Sequence, residues 1–456
     1  MTIARRTIAR AARFDIALSL SVLVLALVVS FTRPAHAMKI QEIKSPGGIE
    51  AWLVEAHENP LLALKFSFSG GNSQDPQGKD GVANFVTAML DEGAGDIHSS
   101  DFQEQMETLA MRMSYEDSRD AFYGNFETLT QNRGEATKLL KLALTQPRFD
   151  ADAIERIRSQ LLANLAYADR DPDKVAAKEW FAASFAGHPY ARPSQGTEAT
   201  VSAITREDLD AYRKRIFARD TLKVVAVGDI TPDELGKLLD EVFGDLPAKA
   251  DLLPVAMTKP VAGGVEKWIT MDVPQSVATF GLPAMARKDP DFITAFVLNH
   301  LVGGGGFASR LMEEVREQRG LAYSVYSYLQ PFKHTSILIG SVATRADAIT
   351  QSLDVIRGEL KKIADEGPKP EEFENAKKYL IGSYPLRFDT NAKIASQLLG
   401  LLEDDFGPDY IENRNKMIEA ITLEDAKRVS KRLFSPENLI VTIVGQPVTA
   451  TADKKG

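Results

Sequence analysis

Cysteine is absent from all 456 residues, so no disulfide framework braces the fold and core burial has to supply its stability. Basic residues are in deficit: 54 Lys and Arg against 63 Asp and Glu give a net charge of −9, and a nucleic-acid surface lacks its electrostatic footprint. A phosphate cradle is missing as well. The run Gly303-Gly304-Gly305-Gly306 has neither the Gly-x-Gly-x-x-Gly spacing nor a Lys-Ser/Thr ending, which excludes nucleotide binding there. His57, His98, His188, His300 and His334 have no His or carboxylate neighbour at a recognised ligand spacing. Each therefore reads as structural or exposed, and no metal is expected on this chain.

A single long apolar run stands at the start, from Ile16 to Phe31. It follows Arg5, Arg6, Arg10 and Arg13 and precedes Ala35-His36-Ala37, the order of a cleaved secretion signal. The alternative is an uncleaved anchor, but the run is shorter than the roughly 20 residues a spanning helix needs. Residues 1–37 are thus expected to be a signal peptide cut after Ala37, leaving a periplasmic protein with no stable membrane anchor. Arg5-Arg6 leaves both the general secretory and the twin-arginine routes open. Cleavage removes five Arg and one Asp and brings the net charge to −13, so an anionic membrane surface is also excluded as a partner. The remaining length, with 44% hydrophobic residues over the whole chain, suffices for roughly two to four domains with substantial cores.

An internal duplication is visible at an offset of 217 residues. Ser202-Ala203-Ile204-Thr205-Arg206-Glu207-Asp208 matches Glu419-Ala420-Ile421-Thr422-Leu423-Glu424-Asp425; Lys214-Arg215 falls on Lys431-Arg432, Phe217 on Phe434, and Leu222, Val224, Val227 and Gly228 on Leu439, Val441, Val444 and Gly445. Each copy predicts a Thr-capped helix, a short turn and a β-branched strand closed by Gly. A period this long is a domain duplication and not a solenoid, whose repeats run about 20 to 50 residues. Hairpin-like openings are expected at Ile49–Val54 with Leu62–Phe68, and at Lys267–Met271 with Val277–Leu282. The Pro- and Gly-punctuated stretch after Leu246 marks the boundary, giving halves at 38–250 and 266–456 and a linker at 251–265.

In the first half, Val82, Phe85, Val86, Met89 and Leu90 recur at helical spacing behind Asp80 and Gly81, which can cap a helix start. In the second, Val315-Arg316-Glu317-Gln318-Arg319-Gly320-Leu321-Ala322-Tyr323-Ser324-Val325 places an Arg and a Tyr seven positions apart. With His188-Pro189-Tyr190 and Ser309-Arg310-Leu311, these segments resemble the pitrilysin, insulysin and mitochondrial-processing-peptidase family from about residue 40 to 447. The resemblance implies an α+β fold of two related halves, each a mostly antiparallel sheet with helices packed on one face. It also implies a His-x-x-Glu-His zinc helix in the first half, whose three functional places here hold Asn84, Thr87 and Ala88. The third zinc ligand, a Glu in the family, falls near Ala163 or Asn164. Two imidazoles at i and i+4 can grip zinc around a carboxylate base; an amide, a hydroxyl and a methyl cannot.

The resemblance further assigns Arg316 and Tyr323 to a peptide held at zinc. The ordinary reading of the same residues is a solvated helix face (Glu313, Glu314, Arg316, Glu317, Arg319) and a strand aromatic beside Tyr326 and Tyr328. Gly303, Gly304, Gly305 and Gly306 carry two readings as well: a helix end released into a flexible loop, or a substrate-contacting loop of the kind the family's noncatalytic subunits carry. Taken together, these features lead to the expectation of a noncatalytic subunit. It would bind no cofactor itself, would pair with a His-x-x-Glu-His paralogue that holds zinc, and would bind peptide or unfolded polypeptide. A core-protein-like assembly subunit and a stand-alone peptide-binding protein are the alternatives.

Overall fold

The computed structural model describes residues 38–446, and the expected signal peptide lies outside them. From Gln41 onward the described residues belong to one compact unit, built on two sheets. The first contains β1 (Gln41–Lys44), β2 (Glu50–Glu55), β3 (Leu61–Ser69), β6 (Arg112–Asp117), β7 (Ala121–Leu129) and β8 (Lys223–Gly228) in the order β1-β2-β8-β3-β7-β6; β4 (Gly93–Ala94) and β5 (Ile97–His98) form a separate small ribbon. The second contains β9 (Glu266–Thr270), β10 (Gln275–Pro283), β11 (Ala322–Pro331), β12 (Ser336–Arg345) and β13 (Ile440–Gly445) in the order β11-β12-β10-β13-β9. Apart from β1, the two orders are the same topology. Pairing is antiparallel throughout, save β2 with β8 and β13 with β9.

The duplicated segment folds alike in both copies. Thr205 caps the Arg206–Ile216 helix by accepting from the Asp208 N–H at 3.3 Å, while Asp208 accepts from the Thr205 N–H at 2.8 Å. Thr422 and Asp425 repeat this box at 3.1 and 3.2 Å on the Leu423–Leu433 helix. Both following strands end on a glycine with positive φ, 137° at Gly228 and 156° at Gly445. There a Cβ would sit 2.1 Å from the Leu61 carbonyl oxygen and 2.1 Å from Ser276 Oγ, respectively.

The expected hairpin openings are corrected. β2 and β3 do not pair with each other, because β8 inserts between them, and β13 inserts likewise between β9 and β10. Val224 to Val227 and Ile440 to Val444 are buried on both faces, and a strand apolar on both sides belongs in the middle of a sheet.

Each sheet packs one face on its own half's helices. In β3 the even positions Leu62, Leu64, Phe66 and Phe68 join the first core; in β10 Ala278, Phe280 and Leu282 join the second. The opposite faces are covered by exchange. The Pro172–Ser184 helix from the first half packs on β13 and β10, and the Asn391–Glu403 helix from the second packs on β8 and β3. Trp180 anchors the first crossing: fully buried with Ile337, Ile339 and Ile440, its indole N–H donates to the Ile440 carbonyl at 3.0 Å. Gly281 makes room for it, since a Cβ there would lie 2.4 Å from the indole. The stretch 251–265 forms neither helix nor strand and is pinned to both halves: Gln74 exchanges bonds of 3.0 and 2.6 Å with the Leu253 backbone, and the Thr258 and Val261 N–H groups donate to the His334 and Ser184 carbonyls.

Candidate functional site

The helix expected at the degenerate zinc motif spans Val82–Thr87, and Val82, Phe85, Val86, Met89 and Leu90 are all fully buried. Gly81 is its N-cap residue, as expected, but Asp80 takes no part in the cap. Gly81 takes a left-handed φ of 99° with no side-chain cap of its own, and Asp80 pairs with Arg192 at 3.1 Å. The cap comes from Asp75, whose carboxylate accepts from the N–H groups of Gly81 at 2.7 Å and Ala83 at 2.9 Å. Burial pushes the Asp75 carboxyl up to about 8 against the pull of these two donors, and neighbouring Asp117 adds to the rise. Nothing in the local pattern distinguishes Asp75 from any polar loop residue, so sequence reasoning missed it.

Asn84 is half-buried, and its amide donates to Asp117 at 3.3 Å; Asn72 supplies a second bond at 2.7 Å. These amides oppose the burial that raises the Asp117 carboxyl. Thr87 turns its hydroxyl onto its own helix, donating to the Asn84 carbonyl at 2.7 Å, and Ala88 has no donor atom to offer. Ala163 and Asn164 are exposed on the Ala151–Ala168 helix. One amide committed to an aspartate, a hydroxyl committed to a carbonyl and a methyl do not make a zinc site, which takes three side-chain ligands and an open position. Among the described residues, no group of three His, Cys, Asp or Glu side chains could hold a metal ion.

Arg316 and Tyr323 do come together, on the second sheet. Arg316 lies on a wide π-helical turn, Met312–Glu317; such turns are rare and frequent at functional sites. Its guanidinium stands 5.3 Å from the Tyr323 ring centroid and 4.7 Å from that of Phe307, and it pairs with Glu317 at 3.2 Å. A register shift in the β11–β12 pairing between Ala322 and Ser324 sets Tyr323 apart. Tyr326 and Tyr328 stack on each other at 6.4 Å, while Tyr323 turns to the arginine and is 80% exposed. Among the described residues its hydroxyl has no hydrogen-bond partner.

The glycine run is packed and not a loose loop. The Phe292–Asn299 helix continues as a π-helical turn, His300–Gly304. A Cβ on Gly303 would lie 2.3 Å from Ser327 Oγ and 2.8 Å from its backbone nitrogen; one on Gly304 would meet the Asn299 amide at 2.9 Å, and one on Gly305 the His300 carbonyl at 2.7 Å. Only Gly306 has open space, with φ at 59°. Close approach fixes this segment against β11, where Ser327 donates to Asn299 at 2.8 Å and Asn299 donates back to the Ser327 carbonyl at 3.2 Å.

His188-Pro189-Tyr190 and Ser309-Arg310-Leu311 serve structure. The buried Tyr190 hydroxyl donates to Asp120, which also accepts from the Lys333 N–H at 2.9 Å and so joins the two halves. Arg310 pairs with Glu372.

Residues 53–198 match the family described as insulinase (peptidase family M16), and residues 203–380 match the peptidase M16 inactive domain. A Helicobacter pylori protein called a non-peptidase homolog is 30% identical over 357 residues, which cover 78% of this chain and 82% of that protein. The chain belongs to peptidase family M16. Among its M16 relatives, an uncharacterized zinc protease of Mycobacterium bovis is 27% identical over 88% of this chain and 92% of its own length. The crystal structure of a peptidase M16 inactive domain from Pseudomonas fluorescens superposes with a TM-score of 0.85 at 27% identity, covering 90% of this chain and 99% of that one. A Helicobacter pylori protease shares the M16 fold at a TM-score of 0.81 and 16% identity, over 90% of this chain and all of that one. The expected α+β architecture of two halves is the M16 fold.

Proposed function

We propose that this M16 chain is the noncatalytic subunit of a heteromeric zinc endopeptidase. In this reading it is exported, its signal removed after Ala37, and it binds peptide beside a His-x-x-Glu-His paralogue that carries the zinc. The observation that carries the reading is the Phe307–Arg316–Tyr323 cluster: an exposed phenol with a free hydroxyl, held by a guanidinium, in a chain whose described residues include no group of three side chains able to hold a metal ion. A phenol O–H can donate to the oxyanion that forms when a peptide carbonyl is attacked, and a guanidinium can hold a neighbouring backbone carbonyl in register. In open water such donors contribute little; a partner chain that closes over them and excludes solvent gives them their effect.

The test is cleavage of unstructured peptides by this chain, by the paralogue and by the mixture. Only the mixture should reach full turnover, and Tyr323→Phe in this chain should lower its kcat about 10²- to 10³-fold, the usual cost of one oxyanion donor. Chelator-resistant cleavage by the lone chain would sink the proposal. The Arg316–Glu317 pair is satisfied without substrate, which favours a second reading, a purely structural subunit. Unchanged turnover by a Tyr323→Phe pair that still assembles would select it.

A further inference from the structure

A cavity of about 620 Å³ opens in the second half beside the glycine run, walled by Phe296, Tyr326, Tyr328 and Tyr384. Three arginines line it, and no Asp or Glu does. Arg287 is neutralised by Asp404 at 3.0 Å and also donates to the Tyr410 hydroxyl. Arg414 is not neutralised. Only 6% exposed, it lies 4.0 Å over the Tyr384 ring, and its Nη1 donates to the Leu380 carbonyl and to Asn415. Its Nε and Nη2, the side-on fork of the guanidinium, have no acceptor among the described residues, and no carboxylate among them lies within ion-pair distance of it. Arg387, exposed on the cavity wall, likewise has no acidic partner among them.

We infer that this cavity binds a carboxylate borne by an apolar peptide, received by the Nε–Nη2 fork of Arg414 and by Arg387. A buried cation without a counterion is costly, and a planar two-oxygen anion matches the free fork. The aromatic walls suit an apolar side chain next to that carboxylate. A peptide can supply the anion from its C-terminus or from an acidic side chain, and the chemistry at Arg414 is the same. The inference rests on the peptide-binding reading for the identity of the ligand, yet it is tested without partner or turnover.

The full-length mature chain is titrated with three dye-labelled forms of one short Leu- and Phe-bearing peptide: free acid, C-terminal amide, and amide with one internal Glu. The free acid should bind at least about tenfold more tightly than the plain amide, as a charge-assisted hydrogen bond allows. Recovery of affinity in the Glu-bearing amide assigns the anion to a side chain, and failure to recover assigns it to the terminus; both support the site. Arg387→Gln, an exposed change, should shrink the gap several-fold with an unchanged Tm, and Arg414→Gln should abolish it. Tyr323→Phe should leave the gap intact. Equal binding of acid and amide, or a gap indifferent to Arg387→Gln and Arg414→Gln, overturns the inference. A vanished gap in a chain whose mixture with the paralogue still cleaves removes this site alone; a persistent gap without cleavage removes the subunit reading alone.

Discussion

Replacing Trp180 by alanine should weaken the whole molecule and not just one helix. The indole is completely buried, makes edge contacts with Phe181 at 5.2 Å and Phe185 at 6.1 Å, and gives its N–H to the Ile440 carbonyl on β13 of the other half. Truncating a buried aromatic typically costs about 3–5 kcal/mol, and leaving the Ile440 carbonyl without its donor adds about 1–3 kcal/mol. For proteins whose net stability is about 5–15 kcal/mol, that is a large share. Trp180→Phe retains most of the filling and loses the donor, so its cost should fall near the smaller figure. Urea unfolding followed by far-UV circular dichroism is the assay. Because the lost contacts join the Pro172–Ser184 helix to the second sheet, the alanine variant should unfold in two steps or with a reduced m-value, whereas the same truncation at Phe66, inside the first core, should keep one transition. A Trp180→Ala cost below about 1 kcal/mol, or a single transition of unchanged slope, would refute the claim that this crossing couples the halves.

Gly303→Ala should destabilise by about 1–3 kcal/mol in thermal or urea melts, since the new methyl meets both Ser327 Oγ and its backbone nitrogen; Gly306→Ala, with free space but a left-handed φ, should cost less. Asp75 binds its proton more tightly folded, at about 8, than unfolded, at its ordinary value of 3.8. Its contribution to stability is therefore complete below about pH 4, declines as pH rises towards about 8 and is flat above; Asp75→Asn should remove that part of the slope of Tm against pH. The triple change Asn84→His, Thr87→Glu and Ala88→His should still yield a chain without stoichiometric zinc in equilibrium dialysis, because Ala163 and Asn164 provide no third ligand.

The parts legible in the sequence were those written within a few residues of one another. Thr205 with Asp208 and Thr422 with Asp425 announce their own capping boxes, and the apolar spacing of Val82, Phe85 and Val86 announces a buried helix. Strand order was not legible, because β8 and β13 return from far along the chain to positions that only their two-sided burial explains. The exchange of the Pro172–Ser184 and Asn391–Glu403 helices was hidden for a similar reason: an apolar stripe specifies burial but not which sheet it meets. At the site, Arg316 and Tyr323 were singled out by the family resemblance of their segment, since spacing alone also fits a solvated helix face and a strand aromatic, whereas the contribution of Phe307 depends on a turn of the chain. Arg414, in a polar stretch reading Asn413-Arg414-Asn415, resembles a surface residue until Tyr384 is placed over it.

The crossed helices also bear on what happens when the polypeptide is cut. A protease nicking the connector near residue 255 would release no fragment, since each piece still roofs the other's sheet. Expressed by itself, a segment ending at residue 250 would present the bare underside of β3 and β8 to solvent, together with an orphaned Trp180, and would be driven to clasp a second copy of itself.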